Sequence, residues 1–390
     1  MNEGENSTFN SEISTIIESK SPGSFVNIKN KMNKGKSNGK INIFICIIFI
    51  ICCIQLIIII LLIKNQKKSN EKLKLNINNL KKQYLYKEDK NKTMYTNKKE
   101  IHISMSLDNG AIYPTLISMT SALENNDKEK NILVYYLLLS HDFNVSNIEI
   151  FESLKNKYQF KINYYIIPNI FGNFDKWRDS DTIYYKLLLP FMFPDHDRII
   201  FLDGDTLVFK DISEMYDLPF DGNYVLGFPF HTPWIIDKLG INSKYYINGR
   251  VILLNIKKIR KNNMDINLLK YTAENYNKVV FLEQDTLNYI FYGKIGFLPL
   301  KYGTYLFGNI DDFKKYYINK FRVKLNLTEL EEAIKDPSIV HLSCCNPKVW
   351  NKTSVQEHGS DYICQRYQKE FYYYANKTNY YFDIYNKYMK

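Results

Sequence analysis

The chain has 390 residues, 45% of them hydrophobic, and a formal net charge of +11. This length holds one or two domains and ample material for a core. Residues 1–40 carry +2 and residues 64–100 carry +8, so all but +1 of the charge lies outside the remainder. That excludes a nucleic-acid reader, whose folded domain would carry the basic face.

Residues 1–40 are rich in Gly, Ser, Asn and Lys and read as a disordered cytoplasmic tail. The run IFICIIFIICCIQLIIIILLI, residues 43–63, is apolar except for Gln55. It supplies the ~20 apolar residues of a membrane span, and residues 41–63 are expected to form one transmembrane helix. The run is too long and too far from the N-terminus for a cleaved signal peptide. Lysines flank both of its ends, so charge alone does not orient it. Glycosylation sequons after the span, at Asn91, Asn144, Asn326, Asn351 and Asn376, point to a lumenal C-terminal part. The expectation is a single-pass type II protein of the Golgi or ER membrane. Residues 64–100 read as a basic stem. Leu73, Ile77, Leu80 and Tyr84 fall at coiled-coil spacing, but two heptads are too few for a coiled coil, so the stem reads as a frayed helix or disordered segment, with a homodimer through it as the alternative. Three cysteines lie in the span (Cys46, Cys52, Cys53) and three near the C-terminus (Cys344, Cys345, Cys364). An odd number outside the span does not make a disulfide framework.

From residue 101 the pattern alternates. Strands are expected at 101–106, 133–139, 160–167 and 198–202. Helices are expected at 113–125, at 146–158 with Ser146 as cap, and at 182–193 until Pro190 disturbs the last. Alternation at this spacing predicts an α/β fold with a mixed, mostly parallel sheet covered on both faces. Residues 353–390 form a Tyr-rich extension, read as a helix packed over the sheet, with a membrane-surface helix as the alternative.

The strand at 198–202 ends at Asp203-Gly204-Asp205. Ligands bind beyond the carboxyl ends of such strands. Two carboxylates there offer hard oxygen ligands for Mn²⁺ or Mg²⁺, and the intervening glycine lets chain or ligand approach closely. The competing reading is a turn whose carboxylates cap backbone amides. A haloacid-dehalogenase-type phosphatase would need Asp-x-Asp-Gly-Thr, and here the glycine lies between the acids.

Five segments in order decide between these readings: IHISMSLDNGAIYPTLISMTSALEN, YYKLLLPFMFPDHDRIIFLDGDTLVFKDISEMYDLPF, YINGRVILLN, FLEQDTLN and HLSCCNPKVW. Together they resemble the family 8 glycosyltransferases, the group of glycogenin and the bacterial lipopolysaccharide galactosyltransferases, over residues 101–352. The resemblance implies a GT-A, Rossmann-like domain. It also implies a UDP-sugar donor, Mn²⁺ with Mg²⁺ as alternative, a glycan or glycoprotein acceptor, and retention at the anomeric carbon. It places Asp203, Asp205 and His341 on the metal. It places Ser106 and Asp108 beside uridine, with Lys186, Asp203, Cys344 and Lys348 around the donor and Trp350 closing the site. Asn248, Glu283, Gln284 and Asp285 fall on the donor-sugar positions. Several residues depart from the family pattern: Gly110 and Ala111 beside uracil, Arg250 where a small residue is usual, Glu283 for Asp, and Cys344 for Gly. These departures motivate a second reading, a catalytically weak nucleotide-sugar or glycan-binding relative.

Overall fold

The computed structural model describes residues 85–89, 97–176, 180–230, 233–242, 246–305, 326–342, 348–352 and 362–390. The tail, the expected span at 41–63, most of the stem and Cys344 lie outside them. Among the described residues no helix is long and apolar enough to cross a membrane.

Eight strands form the main sheet: β1 (Leu85–Lys87), β2 (Lys99–Leu107), β3 (Asn131–Leu139), β4 (Lys161–Ile166), β5 (Ile199–Leu202), β7 (Val225–Pro229), β8 (Ile247–Leu254) and β9 (Ile295–Phe297). Their order is β1-β4-β3-β2-β5-β8-β7-β9. The strands β4, β3, β2 and β5 run parallel, and β8 runs antiparallel to both β5 and β7. Thus Leu85–Lys87, within the segment read as stem, forms the edge of the sheet. A second sheet joins β6 (Thr206–Val208), β10 (Tyr302–Tyr305) and β11 (Ile339–His341) in the order β10-β11-β6.

The helices of nine residues or more among the described residues are α1 (Ile112–Glu124), α2 (Met264–Asn275), α3 (Leu282–Ile290), α4 (Leu327–Lys335), α5 (Tyr362–Ala375) and α6 (Tyr381–Met389). All nine residues of β3 are buried, which explains its unbroken apolar run NILVYYLLL. Alternate strand residues face opposite sides. Leu137, Leu139, Ile200 and Leu202 enter one core with Leu116 and Met119 of α1. Leu138, Ile199 and Phe201 enter the other. Each such apolar side chain contributes ~1.5–3 kcal/mol on burial.

Two expected helices differ in detail. Residues 145–156 are a short α-helix, Ile148–Glu152, between two 3₁₀ turns, and the capping side chain is Asn144, not Ser146. Residues Thr182–Leu188 form a 3₁₀ helix, and Pro190 stands in the first turn of the α-helix that follows, Leu189–Met192. A first-turn proline removes no needed N–H, so it begins that helix instead of ending it.

The chain passes from the main sheet to the second one through Asp203-Gly204-Asp205, which links β5 to β6. Helix α1 lies against this link. Ser118 Oγ sits 2.8 Å from Thr206 Oγ1, and Ser121 Oγ accepts the edge-strand N–H of Val208 at 2.9 Å. A Cβ on Gly204 would come within 2.4 Å of Thr115 Oγ1. Glycine is therefore required here by the close approach of α1.

Candidate active site

Sheet register assembles the site. Leu202 pairs with Val251, and the N–H of Asp203 donates to the carbonyl of Arg250 at 3.0 Å. His341 pairs with Thr206, and the N–H of Leu342 donates to the carbonyl of Asp205 at 2.8 Å. Residues distant in sequence thus meet at the β5–β6 link. Asp203, Asp205 and His341 each offer a ligand atom, and these atoms lie within 4.8 Å of one another.

Three cations surround the aspartates. Lys348 Nζ donates to Asp205 Oδ2 at 2.5 Å. Lys186, fully buried, pairs with Glu283 at 2.8 Å and approaches Asp203 Oδ1 at 3.8 Å. Arg250 Nε lies 3.8 Å from Asp203 Oδ2. Burial acts to raise the pKa of Asp205, but His341 and Lys348 more than offset it and hold the carboxyl well below its ordinary range. Burial raises Asp203, opposed by Lys186 and reinforced by the charge of Asp205. Burial lowers His341, against the pull of Asp205.

The donor set fits a divalent cation. His341 Nε2 is 3.1 Å from Asp205 Oδ1 and 3.3 Å from Arg250 Nη1. One imidazole nitrogen cannot donate to the carboxylate and accept from the guanidinium in the same protonation state. An ion between Nε2 and the carboxylates would let each present a lone pair. Two carboxylates and an imidazole form a mixed oxygen and nitrogen donor set of the kind that divalent ions take.

The residues expected around the donor sugar lie on facing elements, β8 and α3. Gln284 accepts the Gly249 N–H at 3.1 Å and donates to Tyr246 Oη at 3.1 Å. Asp285, fully buried, accepts from Tyr246 and from the backbone N–H groups of Val280 (2.7 Å) and Phe281 (2.9 Å). It therefore holds the start of α3, where Leu282 takes a left-handed φ of 51°. Asn248 accepts the Arg250 N–H at 3.0 Å. A Cβ on Gly249 would stand 3.4 Å from Glu283 Oε1.

Ser106 lies two residues past Ser104, whose partner across the sheet is Phe201, so β2 and β5 open at the same edge. Asp108 Oδ1 accepts the N–H groups of Gly110 (2.8 Å) and Ala111 (3.2 Å), which turns the chain into α1. Trp350 is buried against Phe371 of α5, ring centroids 5.2 Å apart, and Lys348 Nζ stands 5.6 Å from the Trp350 ring centre. It backs the lysine. Sequence reasoning missed Tyr246, which joins Gln284 to Asp285, and Asn288, which bonds both the N–H and the carbonyl of Ile247. The signal was present: Tyr246 opens the YINGR segment, and Asn288 lies one helical turn after Gln284.

Comparison with known proteins bears on the family and the fold. The sequence profile described as "Glycosyl transferase family 8" matches residues 102–354. The lipopolysaccharide 1,3-galactosyltransferase of Salmonella typhimurium is 24% identical over 232 residues, covering 55% of this chain and 67% of that protein. The crystal structure of the galactosyltransferase LgtC with donor and acceptor sugar analogues superposes with a TM-score of 0.58 at 17% identity, over 70% of this chain and 95% of that one. The bifunctional glycosyltransferase WbbM gives 0.60 at 20% identity and covers 76% of this chain. The match spans 53%, about half, of WbbM's own length. These likenesses establish the α/β, GT-A-like fold.

Proposed function

The chain belongs to glycosyl transferase family 8, and on that premise we propose that it is a retaining transferase moving a hexose or pentose from a UDP-sugar to a glycan or glycoprotein. The observation that carries this reading is the convergence of Asp203, Asp205 and His341 beside Lys348 at the carboxyl end of β5. A divalent ion, Mn²⁺ or Mg²⁺, held by those three residues would supply positive charge to the leaving diphosphate.

The chain's own groups do the rest. Lys348, backed by Trp350, is placed to pair with the phosphate charge that grows as the glycosidic bond breaks. Asn248 and Glu283 border the sugar. Gln284 has both ends of its amide engaged by Gly249 and Tyr246, which favours an orienting role over a nucleophilic one. Retention is then best served by attack from the leaving-group face, with a donor phosphate oxygen receiving the acceptor's proton. The apolar run at 41–63 supports a type II anchor with the transferase lumenal in the Golgi or ER, and the stem would carry any homodimer contact. Asn144, Asn326 and Asn376 are exposed, as glycosylation in a lumen requires.

Arg250 favours a second reading, because its guanidinium reaches two of the three metal-ligand side chains. A relative that binds nucleotide sugars weakly, without turnover, would tolerate it. The full-length protein, assayed for UDP release from UDP-glucose, UDP-galactose, UDP-xylose and UDP-N-acetylglucosamine, separates the two. Release with Mn²⁺ that EDTA and Asp205→Asn abolish is expected. Binding of UDP without release from any donor, acceptors included, would establish the second reading.

A further inference from the structure

We infer that Arg250 is the resting counter-cation of the aspartate–histidine cluster and couples metal binding to capture of the donor diphosphate; this rests on the transferase reading above. Arg250 lies on β8, beside the β5–β6 link. Its Nε is 3.8 Å from Asp203 Oδ2 and its Nη1 is 3.3 Å from His341 Nε2. These atoms belong to two of the three candidate metal ligands. The guanidinium is charged at every relevant pH, so it acts as a fixed positive charge at the place where a divalent ion would sit.

The other two cations of the site are differently placed. Lys186 pairs with Glu283 at 2.8 Å and Lys348 with Asp205 at 2.5 Å. The ionic contact of Arg250 with Asp203, at 3.8 Å, is longer than either of those pairs, and its side chain is 32% exposed, more than either lysine, which leaves it a path to move. An ion that takes the Nε2 lone pair removes the acceptor of Nη1 and repels the guanidinium. Arg250 must then turn outward. Its charge would stand beside a dication without compensation until an anion arrives, and the diphosphate can accept two parallel N–H bonds from its fork. Metal alone therefore binds against Arg250, and metal with diphosphate binds with its help. Such coupling is reciprocal.

The test is a titration of the full-length protein with Mn²⁺ alone, with saturating UDP, and with saturating uridine, followed by calorimetry and by water-proton relaxation. Wild type, Arg250→Met and Arg250→Lys are compared. Arg250→Met is expected to bind Mn²⁺ alone roughly tenfold more tightly than wild type, about 1.4 kcal/mol. UDP should then enhance Mn²⁺ binding less in Arg250→Met than in wild type. Arg250→Lys should fall between the two, and uridine, which lacks phosphate, should enhance none of them. Equal Mn²⁺ affinities in wild type and Arg250→Met, or an unchanged enhancement by UDP, would overturn the inference and leave the transferase reading standing. Enhancement by uridine equal to that by UDP would overturn it as well. Absence of Mn²⁺ binding in every protein, with and without UDP, would overturn both together.

Discussion

Lys186 is the most deeply buried cation of the site. Its side chain is 1% exposed and that of its partner Glu283 is 9%. Removing one member of such a pair strands the other's charge. Lys186→Met is therefore expected to cost about 3 kcal/mol of stability, measured by urea unfolding, and Lys186→Met combined with Glu283→Gln should cost less than the single change. A double variant as unstable as the sum of its singles would show that the two charges do not support each other. The same residues show what the sequence could tell. Asp203 and Asp205 were legible because two carboxylates at the end of an apolar strand require a compensating partner. Glu283, Gln284 and Asp285 were legible as a site only through the family resemblance. Their engagements with Lys186, Gly249, Tyr246 and the N–H groups of Val280 and Phe281 depend on side-chain geometry between elements that a linear reading does not contain.

Among the elements, β2 and β3 carry a histidine cluster at the opposite end of the sheet from the site. His102 on β2 stacks on His196 at 4.2 Å, and the Tyr136 hydroxyl on β3 bridges them, 3.1 Å from His102 Nδ1 and 2.7 Å from His196 Nε2. Burial lowers the pKa of His102 from 6.5, with Glu100 opposing and Lys161 adding to the effect. A histidine whose folded pKa lies below its unfolded value stabilises the fold fully above about pH 6.5, and that contribution fades as pH falls toward the folded pKa. Melting temperatures between pH 7.5 and 5.5 should fall more steeply in wild type than in His102→Gln. Parallel slopes would remove His102 from the account. Most of these strands were readable from period and apolar length. The 3₁₀ character of Thr182–Leu188 was not, because TIYYKLL has the spacing of an α-helix, and Tyr184, Tyr185 and Leu187 are all buried in the second core.

Over the whole molecule, the sequence predicted alternating α and β with a parallel centre, and β4-β3-β2-β5 follow that prediction. Periodicity could not reveal that His341 returns, more than a hundred residues later, to pair beside Thr206 in a separate small sheet, since three-residue strands carry no periodic signal; only the family resemblance joined it to Asp203 and Asp205. The C-terminal helices are the other long-range contribution. Phe371 and Tyr374 of α5 and Ile384 of α6 are buried in the core that contains Trp350. Tyr388 packs against both Trp350 and Tyr113, with centroid distances of 6.1 and 6.5 Å. Trp350 in turn backs Lys348, the residue paired with Asp205. The extension therefore supports Lys348, and with it the proposed donor site, from behind. Ile384→Ala, a large-to-small change in a closed core, is expected to lower stability by about 3 kcal/mol. Tyr388→Ala should weaken UDP binding severalfold by loosening Trp350, while leaving the bulk of the secondary structure intact by circular dichroism. Unchanged UDP affinity in Tyr388→Ala, with the fold retained, would mean that the two helices cover the core without bearing on the site.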